Sequence, residues 1–191
     1  GGEGGQAQAL LAALGQQGLS LTTLSTLLPV ADGPCGLAAA VERLKSEAEA
    51  AVRAGSAILV LSDRGIAAGS TYIPPLLAVG AVHHHLLNLG LRLQTSLVVD
   101  TAQCWSTHHV ACLIGYGASA VCPWLTWETA RHWLAQPKVQ TNIERGKLPA
   151  LTADQVQANV RKALEDGLRK ILSKIGISLL ASYHGAQIFE A

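Results

Sequence analysis

The chain has 191 residues, of which 49% are hydrophobic, 4% aromatic and 14% charged, and its formal net charge is +1. This length suits one domain, and the apolar fraction excludes a disordered composition. The low charge and scarce aromatic residues argue against a nucleic-acid surface, which needs clustered basic residues or stacking rings. No apolar run reaches the roughly 18 residues that a membrane-spanning helix needs.

Apolar runs alternate with segments of helical periodicity along the chain. We expect a domain over residues 36–191, preceded over 1–35 by a flexible or truncated lead-in that holds a possible first strand. The absence of methionine favours a fragment or a processed product. In chain order, the predicted elements are a strand within 19–30, a helix over 36–54, a strand over 57–61, a helix over 76–89, a strand over 93–99, a helix over 107–116, a strand over 118–121, a brief helix capped by Thr126, a helix over 152–174 and a strand over 177–181.

Successive strand-then-helix units predict parallel strands joined by right-handed crossovers. The fold class is therefore α/β with a mainly parallel sheet, and the spacing leaves a partial barrel and an open sheet as alternatives. Residues 152–155 match a capping box, in which Thr152 and Gln155 bond reciprocally at a helix start. The polar stretch 136–148 predicts no element.

Polar residues follow two of the predicted strands. Ser62, Asp63 and Arg64 come directly after one strand and Asp100 ends the next. The carboxyl ends of parallel strands form the edge at which α/β proteins bind ligands. Asp63 and Arg64 could bind an anion or a neighbouring domain, and an ion pair that fixes the loop is the plainer alternative. We expect Asp100 to fix a loop at a helix N-terminus.

Two further groups of residues suggest chemistry but have plainer interpretations. His83, His84 and His85 point about 100° apart on a helix, so they cannot all face one metal ion. A set of Asp100, Cys104 and His108 or His109 resembles a nucleophilic triad, yet such a set is easily found by chance. The four cysteines lack the spacing of a metal or cluster site. No catalytic residue, metal or cofactor is predicted for this chain.

Four long segments carry a resemblance to a known family. The segments are ILVLSDRG at 58–65, IPPLLAVGAVHHHL at 73–86, SLVVDTAQCWSTHHVACLIGYGASAV at 96–121 and GLRKILSKIGISLLASYHGAQIFEA at 167–191. In this order and spacing the chain resembles the later, C-terminal portion of the central domain of glutamate synthase, closest to the ferredoxin-dependent type of cyanobacteria and plastids. It departs from the family pattern at Lys45, Val110, Trp124, Trp127 and Ile175.

The resemblance implies a non-catalytic role within a larger oxidoreductase. In that family a glutaminase (amidohydrolase) domain releases ammonia, which passes through an internal tunnel to an FMN barrel. There it reacts with 2-oxoglutarate to give glutamate, with electrons from ferredoxin through an iron–sulfur cluster. The FMN and the cluster belong to other parts of the enzyme. The implied partners are the glutaminase and FMN-barrel domains, with no nucleic acid and no membrane, in the cytoplasm or the plastid stroma.

The expected role of this domain is to provide tunnel walls and docking surfaces. The candidate residues for that role are Ser62, Asp63, Arg64, His84, Asp100, His108, His109, Ser173, Lys174, Tyr183 and Gln187. Two alternatives stay open. One is an independent enzyme of the βα class with a site at Asp63, Asp100 and His108, and the other is a separate scaffold subunit.

Overall fold

The structure is a computed structural model that describes residues 20–174. The strands of this part of the chain are β1 (Leu21–Ser25), β2 (Leu27–Pro29), β3 (Ile58–Ser62), β4 (Ser70–Tyr72), β5 (Ser96–Asp100) and β6 (Ala120–Cys122). Its helices are α1 (Gly33–Arg53), α2 (Pro75–Asn88), α3 (Thr107–Gly115), α4 (Trp124–Ala135), α5 (Pro137–Glu144) and α6 (Ala153–Lys174), with short 3-10 turns at Val30–Asp32 and Arg92–Gln94.

Four of the strands form a parallel sheet in the order β1-β3-β5-β6. Strands 58–62 and 96–100 are apolar because both of their faces are covered over most of their length. Alternate residues of β3 and β5 pack against α1 and α2 in one continuous core; its fully buried members include Leu44, Leu59, Val79, Leu86 and Leu97. The α/β fold with a parallel sheet is confirmed, and within residues 20–174 this sheet does not close into a barrel.

A second, two-stranded sheet pairs β2 with β4 in antiparallel fashion. The sequence predicts one strand within 19–30, but the chain changes sheet at Thr26. The Thr26 amide donates to Ser62 O at 2.9 Å, and Thr26 O accepts from the Ile73 amide at 2.8 Å. Thr26 therefore joins the parallel sheet to the antiparallel pair. The alternation of apolar and polar residues in the sequence cannot reveal that the chain pairs with β3 before Thr26 and with β4 after it.

Most helices lie where the sequence predicts them. α6 begins with the expected capping box, in which the Thr152 amide donates to Gln155 Oε1 at 2.8 Å and the Gln155 amide donates to Thr152 Oγ1 at 3.2 Å. Ser106 Oγ caps α3 by accepting from the His109 amide. The predicted strand 177–181, Tyr183 and Gln187 lie outside the described residues. No helix in the part that is described has the length and apolar character needed to cross a membrane.

Two helical predictions are corrected. Thr126 does not cap α4, which begins at Trp124 behind Pro123; the Thr126 hydroxyl instead donates to Cys104 O at 2.8 Å. The stretch 136–148 contains α5, which the sequence did not predict. Pro137 opens it, and Val139 is buried in a small apolar cluster at its side. Tertiary packing thus outweighs the polar composition of this segment.

The amino ends of β5 and β6 are held by a buried arginine. Arg92 is only 9% exposed, and its guanidinium donates to Thr95 O at 2.8 Å, Gly117 O at 2.7 Å and His83 Nδ1 at 3.0 Å. Burial lowers the pKa of Arg92. His83 Nδ1 accepts this bond, so the bond requires that nitrogen to be unprotonated. No carboxylate of residues 20–174 forms an ion pair with Arg92.

Gly117 offers a direct test of this packing. Its φ is +121°, and a Cβ there would lie 2.4 Å from His83 Nδ1. Gly55 has a φ of +95° but open space around the same position. We expect Gly117→Ala to lower the free energy of unfolding by about 3 kcal/mol or more, because strain and a clash add, and Gly55→Ala by about 1 kcal/mol. Urea denaturation measures both, and equal losses would contradict the packing described.

Candidate functional site

The four parallel strands end in a row of small or polar residues. The pairing register aligns Ser25 with Ser62, Ser62 with Asp100 and Asp100 with Cys122. Because successive side chains of a strand alternate between faces, these residues share the face opposite the helix-packed core. The edge of the sheet at which the strands end is called the carboxyl edge below.

Asp100 is the centre of one hydrogen-bond network at the carboxyl edge. Ser62 Oγ donates to Asp100 Oδ2 at 2.8 Å, and Arg64 donates through Nε to Oδ2 at 2.6 Å and through Nη2 to Oδ1 at 3.1 Å. This is the two-pronged geometry in which an arginine binds a carboxylate most strongly. Burial acts to lower the pKa of Arg64 and the Asp100 carboxylate to raise it; the carboxylate prevails, so the pKa lies above its ordinary value.

Asp63 is the centre of a second network. This residue is 3% exposed, and its carboxylate accepts from Thr101 Oγ1 at 2.7 Å, from the Ala102 amide at 3.0 Å and from Trp124 Nε1 at 2.7 Å. Its own amide donates to Asp100 O at 3.2 Å. The bonds to Thr101, Ala102 and Trp124 tie the loop after β3 to the loop after β5 and to the start of α4. The two buried carboxylates thereby have the donors that a buried charge requires.

The first turn of α4 closes the carboxyl edge. The Trp124 ring lies beneath the Arg64 guanidinium, whose central carbon is 5.1 Å from the ring centroid, within range of a cation–π contact.

Burial, together with nearby Asp100, raises the pKa of the Cys122 thiol to about 11, and a hydrogen bond from Trp127 opposes the rise. Cys122 is therefore a protonated thiol near neutral pH.

The two histidines of α3 contact the loop after β5 and their own helix. The Trp105 amide donates to His109 Nδ1 at 3.1 Å, which ties the loop after β5 to the helix. His108 Nε2 lies 3.5 Å from Cys112 Sγ, one helical turn further along α3. Burial raises the pKa of the Cys112 thiol, so this cysteine is not an activated thiolate.

The remaining candidate residues lie elsewhere. His84 is exposed on α2, with its ring 5.2 Å from that of His83. Ser173 and Lys174 are exposed at the end of α6. Gly167 approaches Thr107 at the start of α3, and Leu168, Ile171 and Leu172 pack in a cluster with Ala111 and Ile114 further along that helix, so α6 runs alongside α3 in the same direction. The end of α6 therefore lies away from the carboxyl edge.

The geometry also bears on the possible nucleophilic triad with Cys104 and on metal binding. Cys104 is 2% exposed, and burial raises its pKa to about 11, so it does not supply a thiolate near neutral pH. Asp100 fixes a loop, as predicted, but its bonds go to Ser62 and Arg64, at the end of β3 and in the loop after it. The predicted place at a helix N-terminus is wrong, because Ser106 caps the following helix. Among residues 20–174, no three histidine, cysteine or carboxylate side chains are placed to hold a metal ion.

Sequence reasoning missed the donors that complete the site. Thr101, Ala102 and Trp124 bind Asp63, yet the sequence shows Trp124 only as a departure from the family pattern. The signal that could have found Trp124 is its position. It comes two residues after the end of β6, and the ends of neighbouring parallel strands meet at one edge.

Comparison with known protein families gives a match over nearly the whole chain. Residues 4–191 match the model of the glutamate synthase central domain. The chain is 56% identical over 182 residues to a ferredoxin-dependent glutamate synthase of Pyropia yezoensis and 55% identical over 177 residues to ferredoxin-dependent glutamate synthase 2 of Synechocystis. These matches cover 94% and 91% of this chain but 12% and 11% of the relatives, so the chain spans about an eighth of their length.

Similarity to solved structures also concerns the fold. A mutant of mandelate oxidase with a monooxide FMN adduct aligns with a TM-score of 0.50 over 74% of this chain and 37% of that chain. The sequence identity is 20%, so the likeness concerns the arrangement of strands and helices alone.

The bond from Trp124 to Asp63 can be measured by substitution. We expect Trp124→Phe to lower the free energy of unfolding by about 2 kcal/mol, because a buried carboxylate loses a donor. Trp133→Phe is the matched control, since Trp133 is 41% exposed on the same helix and should change stability by less than about 0.5 kcal/mol. Urea denaturation with far-UV circular dichroism gives both values; equal effects would contradict the role assigned to the indole N–H.

The buried Cys104 thiol predicts a loss of stability at alkaline pH. The fold raises its pKa from 9.0 to about 11, so the unfolded chain loses this proton first as the pH rises. Its contribution is complete below about pH 9 and falls by on the order of 2 kcal/mol towards about pH 11. Urea denaturation between about pH 8 and about pH 10.5 should show a shallower decline for Cys104→Ala than for the parent chain. Cys35→Ala, at an exposed cysteine, should leave the slope unchanged.

Proposed function

Because the chain belongs to the glutamate synthase central domain family, we propose that it is a non-catalytic part of a ferredoxin-dependent glutamate synthase. In this proposal its carboxyl edge forms a docking surface and a section of the ammonia tunnel wall. The whole enzyme makes glutamate from ammonia released from glutamine and from 2-oxoglutarate. The glutaminase and FMN-barrel domains are its neighbours, ferredoxin is the electron donor, and FMN and the iron–sulfur cluster are held outside this chain.

The observation that carries the proposal is the saturation of both carboxylates at the carboxyl edge. Asp63 accepts bonds from three residues through its carboxylate, and the Asp100 carboxylate accepts from Ser62 and by two bonds from Arg64. A general base must be able to accept a proton from its substrate at hydrogen-bond distance. Groups committed to binding one another are suited to holding loops in a fixed shape, which a docking surface needs.

The same saturation suits a passage for ammonia. Ammonia that gains a proton becomes a cation and loses the lone pair with which it reacts. Arg64 occupies the Asp100 carboxylate with two hydrogen bonds, and the thiols of buried Cys104 and half-buried Cys122, each with a pKa of about 11, keep their protons near neutral pH. A tunnel wall built from such groups would not protonate ammonia readily and would not hold ammonium at an unpaired carboxylate.

The remaining candidates extend this surface in the proposal. His108 and His109 lie in the first turn of α3, directly after the loop that follows β5. His84, Ser173 and Lys174 are exposed away from that edge and would meet other parts of the enzyme, and Tyr183 and Gln187 are assigned by family resemblance. The relatives named chloroplastic support a plastid setting, and the cyanobacterial relative supports a cytoplasmic one.

Substitution of Arg64 in the full-length enzyme tests the proposal. We expect Arg64→Gln to lower the yield of glutamate per glutamine hydrolysed by several-fold, because loops that lose their anchor let ammonia escape, while the FMN absorbance stays unchanged. Arg169→Gln is the control, since Arg169 is 75% exposed on α6 and, among residues 20–174, bonds to nearby Asp166. Free ammonia and glutamate are assayed together from glutamine.

Two results would overturn the proposal. One is a full yield of glutamate from the Arg64 variant with no free ammonia. The other is an isolated 191-residue chain that binds flavin, seen as yellow absorbance, or that converts a substrate by its own side chains. The second result would favour the independent enzyme of the βα class.

A further inference from the structure

The surface of α2 and the turn that follows it differs from the other outer surfaces of the fold. Residues 75–99 contain no aspartate, glutamate or lysine, and their one arginine is the buried Arg92. By contrast, the outer surface of α1 carries ion pairs such as Lys45 with Glu42 and Arg53 with Glu49. Solvated helix faces normally carry charge, so α2 has the composition of a covered helix although its outer face is not covered by residues 20–174.

Three exposed leucines lie towards the end of this segment, whose only arginine is buried. Leu87 is 52% exposed, Leu89 41% and Leu93 97%. They fall within a short stretch of chain, at the amino ends of the parallel strands, and are called the leucine turn below. Single exposed leucines are common on protein surfaces, whereas three exposed leucines within one short turn favour a site of contact.

The leucine turn is held rigidly by its own backbone and by a neighbour. The Leu91 amide donates to Leu86 O at 2.8 Å, and the Gln94 amide donates to Leu91 O at 3.0 Å. Arg92, directly before Leu93, is fixed by Thr95 O, Gly117 O and His83. Burying an arginine without a carboxylate partner is costly, and here it fixes the turn that displays Leu93. A fixed turn loses little entropy when it binds, which favours docking.

We infer that the leucine turn docks into an uncharged apolar surface of another domain of the same polypeptide. The length of the relatives supports this occupant, since the chain spans about an eighth of them and a neighbouring domain is covalently present at high effective concentration. The absence of charge on α2 supports an apolar partner, because no charged group on this face would need to be desolvated. The inference rests on the proposed function only in taking the chain as one domain of a larger enzyme.

Thiol labelling measures whether the turn is covered. In a Cys35→Ala background, we expect Leu93→Cys to react with a maleimide at least about ten times more slowly in the full-length enzyme than in the isolated chain. Ser46→Cys, at an exposed position of α1, is the control and should differ much less between the two proteins. Equal labelling of Leu93→Cys in both proteins would overturn the inference.

A charged substitution gives a second readout that does not require a reactive thiol. Leu93→Asp should leave the melting temperature of the isolated chain unchanged, because this side chain is 97% exposed there, and should lower that of the full-length enzyme. An unchanged full-length enzyme would contradict the inference. If the isolated chain sediments as a dimer that Leu93→Asp dissociates, the occupant is a second copy and the assignment is wrong.

The experiments on the carboxyl edge and on the leucine turn have independent outcomes. A covered leucine turn together with a normal glutamate yield for Arg64→Gln would refute the proposed role of the carboxyl edge alone. An accessible leucine turn together with uncoupled ammonia would refute only the docking inference.

Discussion

Two buried carboxylates at the ends of neighbouring parallel strands constrain the whole carboxyl edge. A charge removed from water must find donors in the protein or destabilise the fold. Asp63 obtains them from the loop after β5 and from α4, and Asp100 obtains them from the end of β3 and the loop after it. The position of α4, the direction of Arg64 and the shapes of both loops follow from this requirement.

The cross-linked arrangement fits the supporting role that we propose for the carboxyl edge. Catalytic carboxylates usually have an environment that separates their proton affinities and leaves one of them available. Here each carboxylate bonds to a loop or strand other than its own, so the bonds hold β3, β5 and α4 together. Fixed loops present a constant surface to a neighbour, and a constant surface allows several domains to keep one continuous passage aligned.

The fold class was predictable because local signals and tertiary structure agree over most of the chain. The apolar runs near 57–61 and 93–99 become the central strands, and the capping box at Thr152 starts α6. The antiparallel pair of β2 and β4 was missed because it joins segments that are distant in sequence. Helix α5 was missed because its apolar cluster forms only when it packs with the end of α4 and the start of α6. Its two apolar residues at helical spacing, Val139 and Ile143, are too few to predict a helix within a polar segment.

The candidate site was predictable in location but not in bonding. The rule that parallel strands end at one edge brings Asp63, Arg64 and Asp100 together. The ion pair, however, joins Arg64 to Asp100 of the next strand and not to its neighbour Asp63. Local sequence cannot choose between two carboxylates for one guanidinium, since the choice depends on the register between strands. Trp124 shows the same limit, because its indole bonds to a residue 61 positions earlier.

The in-order arrangement of the parallel strands has a consequence for how the chain is made. Each later strand of the sheet pairs with one that precedes it in the sequence: β3 with β1, β5 with β3 and β6 with β5. The antiparallel strand β4 likewise pairs with the earlier β2. As the ribosome extends the polypeptide from its amino terminus, each of these strands emerges when its earlier partner has already been synthesised. The described part of the domain can therefore assemble unit by unit during translation, each new strand adding to a sheet edge that is already in place.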